Sequence, residues 1–197
     1  MCSSDLLILS VILANIRVFK LPVLDQLSQL YISFFRGTPL LVQLFLLYYG
    51  LPQIFPLMVG IDAFSAAVIG LTLHFAAYMA ESIRAAIIGI DRSQMEASLS
   101  VGMTTSQAMR RVILPQATRV ALPSLMNYFI DMIKSTSLAF TLGVAEIMAK
   151  AQMEASSSFR FFEAFLAVAL IYWGVVVILT RVQIWAEAKL KIGRAHV

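Results

Sequence analysis

The chain has 197 residues, of which 60% are hydrophobic and 13% charged, and its net charge is +4. Soluble domains carry about 25% charged residues, and a mean hydropathy of +0.85 asks for more interior than a soluble domain of this length provides. The composition is that of a polytopic membrane protein. One cysteine, Cys2, excludes a disulfide framework and a Cys-based metal site, and His74 and His196 stand too far apart to suggest a local ligand pair.

In chain order, residues 6–16 are apolar but shorter than the roughly 20 residues that cross a bilayer. They are expected to be a truncated first span. Residues 1–6 and 192–197 resemble translations of the two strands of a common sequencing-library adapter. They are expected to be non-native, and neither Cys2 nor His196 is given a role. Arg17, Lys20 and Arg36 then stand against Asp25 in residues 17–36. Residues 37–61 are uncharged and long enough to span, with Pro52 and Pro56 marking the exit. The following loop holds Asp62 and no Lys or Arg. A second uncharged run, 63–80, extends through Glu81 and Arg84 to about Ile90. Residues 120–145 form a third span, apolar except for Asp131 and Lys134. The loop at 146–163 is net acidic. Residues 164–180 make the last span, and Arg181, Lys189, Lys191 and Arg194 follow.

Lys and Arg collect on the cytoplasmic side of a membrane protein. The basic segments are 17–36, 84–119 and 181–194, which gives five spans with the N-terminus outside and the C-terminus inside. Lipid tolerates no irregular exposed backbone, so the expected class is all-α.

Residues 91–115 are a polar exception. Ser93 and Glu96 have the spacing of a capping box, as do Thr104 and Gln107. Gly102 sits where a first short helix would end in a left-handed residue, and Pro115 is expected to stop the second. Met95, Leu99 and Met103 recur every four residues as an apolar stripe. A polar hairpin with such a stripe, set between spans, suits docking outside the bilayer. Arg110, Arg111 and Arg119 admit a DNA-binding helix-turn-helix, which the flanking spans make a poor fit.

Glu96-Ala97-Ser98, then Gly102, then Val112-Ile113-Leu114-Pro115 resembles the EAA motif of bacterial ABC importer permeases. Ser98 departs from the usual second alanine, and Ser93 from the glycine frequent in amino-acid permeases. Residues 34–43 (Phe-Phe-Arg-Gly-Thr-Pro-Leu-Leu-Val-Gln) and 134–138 (Lys-Ser-Thr-Ser-Leu) are similar to two further signatures of the polar amino-acid members. The resemblance covers about residues 7–190 and is nearest in character to cystine permeases. It implies a type I importer (MetI-like) transmembrane domain in the bacterial inner membrane. It also implies two ATPase subunits, a second permease chain that is either a copy or a relative, and an extracytoplasmic substrate-binding protein. The EAA hairpin would be the coupling helix. Glu96, Ala97, Ser98, Gly102, Met95, Leu99, Leu114 and Pro115 would serve ATPase coupling, with Glu96 either pairing with a basic partner residue or holding the hairpin in shape. The sequence has no Gly-x-x-x-x-Gly-Lys-Ser/Thr loop, so ATP and Mg are expected on the partner. The chain itself is expected to bind no cofactor and catalyse nothing.

Polar groups inside spans cost a few kcal/mol each and are functional candidates. His74 and Tyr78, one turn apart, face either the translocation path or a neighbouring helix. Asp131 and Lys134 either neutralise one another or leave Lys134 to act as a gate or to bind a substrate carboxylate. Two other functions stay open: an ion-coupled carrier, for which Asp131 would titrate, and a non-transporting membrane scaffold.

Overall fold

The computed structural model describes residues 2–189, and every regular element among them is helical. The segment 192–197 lies outside the described residues. The elements are α1 (Cys2–Phe19), α2 (Leu24–Gly37), α3 (Leu40–Phe45), α4 (Leu51–Ile54), α5 (Ala63–Ile88), α6 (Arg92–Ser100), α7 (Thr105–Ala108), α8 (Leu114–Ser135), α9 (Ile147–Ser158) and α10 (Phe161–Lys189).

The hub is α5, which packs against α1, α2, α3 and α8. Its sequence explains this. Ala66, Ala67, Gly70, Ala76, Ala77 and Ala80 are all buried, and small residues let helix backbones approach where lipid supplies no hydrophobic drive. The approach at Gly70 is close: a Cβ there would stand 2.5 Å from Leu44 Cδ2. Leu6, Leu71, Phe75 and Met79 form one core cluster with Met132 of α8. By contrast, α10 packs mainly against α8 and α9 and exposes Trp173, Ile178 and Trp185. Its one deep polar anchor is Gln183, which donates to Asn127 Oδ1 at 3.1 Å and to Glu187 Oε1 at 2.9 Å.

Two described helices, Ala63–Ile88 and Phe161–Lys189, are long and apolar enough to cross a bilayer alone. The number rises to four if two bent pairs each count as one span. Five spans are therefore not reached by length and composition, for identifiable reasons. The basic segment 17–36 is not an open loop, because most of it is α2, an amphipathic helix tied to α1 by an Arg17–Asp25 ion pair at 3.1 Å. A γ-turn precedes it, closed by Leu24 N–H on Pro22 O at 2.7 Å with Val23 at φ 65°. The apolar run 37–61 is not one straight rod either: α2 and the helix Leu40–Ile54 meet at 112°. The loop at 146–163 contains α9, whose N-cap Glu146 accepts from Ala149 N–H at 2.7 Å.

Pro115 does not stop a helix. The path from Thr105 to Leu142 is continuous, with a π-helical turn at Met109–Ile113 just ahead of the Leu114–Pro115 step. The same device recurs at Leu46–Gly50, just ahead of Leu51–Pro52. Proline lacks an N–H and crowds the carbonyl four residues back. Widening the upstream turn carries that carbonyl aside, so the chain absorbs the proline as a bulge. After α8 a 3-10 segment, Thr136–Leu142, ends at Gly143 with φ 93°.

Asp62 caps α5. It accepts from Ser65 Oγ at 2.6 Å and Ser65 N–H at 2.9 Å, and these bonds hold its carboxyl below the ordinary 3.8. A carboxyl made more acidic by folding contributes fully above its unfolded value and loses that contribution as pH falls through its folded value. Amide exchange at the start of α5, corrected for intrinsic rates, should therefore accelerate on acidification below about pH 3.8. In Asp62→Asn, which caps without titrating, it should not.

Candidate functional site

The polar hairpin is built by local codes. Asp91, not Ser93, is the N-cap of α6, and its carboxylate accepts from Ser93 N–H at 2.9 Å. The Ser93 backbone and side chain together hold the Asp91 carboxyl below its usual range. Asp91 lies two residues upstream and already satisfies a first-turn donor, so the Ser93–Glu96 box does not form. Glu96 is instead exposed, and its carboxylate makes no ion pair or hydrogen bond among the described residues.

The end of α6 is a Schellman motif. Met103 N–H reaches Ser98 O at 3.1 Å, Gly102 N–H reaches Leu99 O at 3.0 Å, and Gly102 is left-handed at φ 85°. A Cβ on Gly102 would meet nothing within 4 Å, so the requirement for glycine is conformational and not one of space. The second capping box forms as expected: Thr104 N–H donates to Gln107 Oε1 at 2.9 Å and Gln107 N–H to Thr104 Oγ1 at 3.3 Å.

The apolar stripe divides. Met95 turns inward against Ala86, Ile87, Ile113, Ala117 and Ala121, and Leu114 packs there too. Leu99 points away, 45% exposed, and Met103 is half-buried. Ser98 is buried, with its hydroxyl folded back onto Gln94 O at 2.7 Å, so a serine replaces the family's alanine without leaving a polar group unpaired. Ala97 and Pro115 are exposed. The hairpin thus has an inner face fixed to α5 and α8 and an outer face of Glu96, Ala97 and Leu99.

A second polar cluster lies where α2 breaks into α3. The last carbonyls of a helix have no partner within it. Here side chains answer three of them: Thr38 Oγ1 donates to Phe34 O at 2.8 Å, Gln43 Nε2 to Phe35 O at 2.9 Å, and Tyr78 OH to Arg36 O at 3.4 Å. Gln43 Nε2 also lies 3.0 Å from Thr38 O and 2.8 Å from Thr38 Oγ1. Its Oε1 meets His74 Nδ1 at 2.9 Å. Rings then connect α5 to α8, with centroids 5.0 Å apart for His74–Tyr78 and 5.8 Å for Tyr78–Tyr128. Asp131 stands one turn beyond Tyr128 and pairs with Lys134 at 2.6 Å, both about half exposed. Glu81 and Arg84 pair as their spacing suggests, at 2.9 Å.

The spacing of His74 and Tyr78 sets their rings side by side, whereas Gln43, the polar partner of His74 from 31 residues away in the chain, is not singled out by the sequence. The available signal was its place as the last residue of the 34–43 signature. The structure brings Asp131 and Lys134 to each other, and one turn earlier on the same helix Tyr128 meets Tyr78.

Over residues 7–192 the sequence matches the family described as binding-protein-dependent transport system inner membrane component. The chain belongs to this family. It is 99% identical over 184 residues to the probable amino-acid ABC transporter permease protein PatM of Vibrio harveyi, covering 93% of this chain and 82% of that protein. It is 40% identical over 195 residues to the L-cystine transport system permease protein TcyL of Bacillus subtilis, covering 96% and 81%. A solved structure described as an amino acid ABC transporter with histidines superposes with a TM-score of 0.84 at 34% identity, covering 95% of this chain and 88% of the other. The chain is thus a multi-pass inner-membrane permease subunit of an amino-acid ABC transporter, with the MetI-like all-α fold. Its relatives are permease subunits and not enzymes in themselves.

The geometry of the hairpin sets an expectation for its stability. Gly102→Ala, with space for the new methyl but the wrong backbone preference, should cost about 1 kcal/mol, and Thr104→Ala a similar amount through the lost cap. Amide exchange confined to the hairpin should quicken about fivefold in each variant, while the amides of α5 stay unchanged.

Proposed function

We propose that this chain forms half of the translocation path of an ATP-driven importer for a polar amino acid, with L-cystine the favoured solute. The observation that carries the reading is the hairpin. Its inner face is clamped to α5 and α8, and its outer face presents an unpaired Glu96 beside exposed Leu99. Such a face suits docking into a groove on a separate ATPase. Glu96 would meet a basic residue there, Leu99 and Met103 would enter the apolar part, and Ala97 would allow close approach. Met95, Ser98, Gly102, Leu114 and Pro115 would hold the hairpin's shape and its junction with α8.

The basic segments support a cytoplasmic side for this hairpin and for the C-terminus. A substrate-binding protein would dock on the opposite side, and a second permease chain would complete the path. His74, Tyr78, Asp131 and Lys134 are the path candidates, with the Asp131–Lys134 pair opening to expose Lys134 to a carboxylate. Support for L-cystine comes from the relative named for it. Coupling requires that the hairpin's contacts with the ATPase differ between the inward- and outward-open states.

Uptake of radiolabelled L-cystine in cells expressing the full importer tests this reading. Glu96→Ala and Gly102→Val should each bring uptake to background while membrane insertion, followed by immunoblot of the membrane fraction, is retained. Normal transport by both variants would remove the coupling assignment. Uptake that survives ATP depletion and collapses with the proton gradient would favour an ion-coupled carrier, and insertion with no movement of solute in vesicles would favour a scaffold.

A further inference from the structure

The α2–α3 break fixes more than a bend. The amide of Gln43 is buried, and its orientation is determined by its surroundings. The Nε2 side faces three oxygens, Phe35 O, Thr38 O and Thr38 Oγ1, at 2.8–3.0 Å. Two of these are carbonyls, which only accept. A flipped amide would set oxygen against oxygen at each, so Nε2 must be the donor there and Oε1 must face His74. That oxygen is an acceptor 2.9 Å from His74 Nδ1, so Nδ1 has to carry the ring proton. In a neutral imidazole the other nitrogen is then a bare acceptor. Nε2 has no hydrogen-bond partner among the described residues, and the ring is half-buried beside Tyr78.

We propose that Gln43 is a positioning residue: it closes the α2–α3 break and by the same amide sets the tautomer of His74, which presents the Nε2 lone pair to the ammonium group of the solute. The second half rests on the assignment of His74 to the path. An Nε2 lone pair accepts and does not donate, so the group it takes from an amino acid is the ammonium and not the carboxylate. Lys134, a donor only, suits the carboxylate, which gives the two ends of the solute opposite partners. Tyr31 ties α2 to α5 next to His74, donating to Leu73 O at 2.6 Å.

The test is nitrogen-15 NMR of the full chain, assembled with its partner subunits in lipid at neutral pH. The sequence has two histidines, so with nitrogen-15 in this chain alone and unlabelled partner subunits, His196→Ala leaves a single labelled imidazole to observe. The expected spectrum has the proton on Nδ1, and Gln43→Met should move the ring to the Nε2–H form that free imidazoles favour. A proton on Nε2 in the chain with Gln43 intact overturns the proposal, as does a tautomer that Gln43→Met leaves unchanged. If Gln43→Met fails to insert, the spectrum with Gln43 intact decides alone. In uptake, Gln43→Met and His74→Phe should each raise KM about tenfold, the worth of one charge-assisted hydrogen bond, with the maximal rate within about twofold. An unchanged KM in both variants overturns the ammonium contact and the path assignment beneath it. The positioning role is decided by the spectrum.

Discussion

Every interruption of a helix leaves carbonyls without a partner in the helix, and where water is excluded each must find a donor inside the protein. The break at Thr38–Pro39 bends the path by 112°, and the arrangement around it follows from that constraint. Thr38, Gln43 and Tyr78 each supply a donor to a different terminal carbonyl of α2. Two of the three come from other helices, so the bend cannot form unless α3 and α5 are already beside it. Gly70 and the alanines of α5 allow that proximity. The bend, the hub helix and the ring of His74 are therefore one structural unit.

The prolines obey the same rule by a different route. At Pro52 and Pro115 a π-helical turn just upstream relieves the crowding, and the glutamine after each proline donates Nε2 to a carbonyl of that turn, Gln53 to Tyr49 O and Gln116 to Val112 O, each at 2.9 Å. At Pro39 that solution is unavailable, since a turn as sharp as 112° ends the helix outright. What separates the two outcomes is the backbone just before the proline: Thr38 is extended at φ −120° ahead of Pro39, whereas Leu51 and Leu114 stay α-helical at φ −60° and −61° ahead of Pro52 and Pro115.

What was legible in the sequence was what the backbone encodes within about one turn. The left-handed Gly102, the Thr104–Gln107 box and the Glu81–Arg84 and Asp131–Lys134 pairs all depend on residues three or so apart, and each was readable. Asp91 displaced Ser93 because both are good caps and only geometry chooses between them. The helix α2 read as a basic loop because its apolar positions, Leu24, Leu27 and Leu30 among them, are spaced among polar ones. The His74–Gln43 contact spans a separation that periodicity does not reach. At the hairpin, composition and the EAA resemblance gave the position and the cast of residues. They could not show that Met95 faces inward, since a stripe in sequence does not say which neighbour it meets.

The continuity of the path from Thr105 to Leu142 gives the hairpin its mechanical meaning. A helix that stopped at Pro115 would leave the hairpin on a flexible stalk, and motion there would dissipate in the joint. With the proline absorbed as a bulge, the hairpin's second arm and the segment bearing Tyr128, Asp131 and Lys134 are parts of one rod. Met95 adds a second attachment, to the end of α5. A displacement imposed on the outer face of α6 would then reach α5 and α8 together. The two helices meet through Tyr78 and Tyr128, immediately beside the imidazole that Gln43 holds. A contact at Glu96 and a change at His74 are in this way connected through packed helices, with the left-handed turn at Gly102 and the in-helix Pro123 of α8 lying on the route.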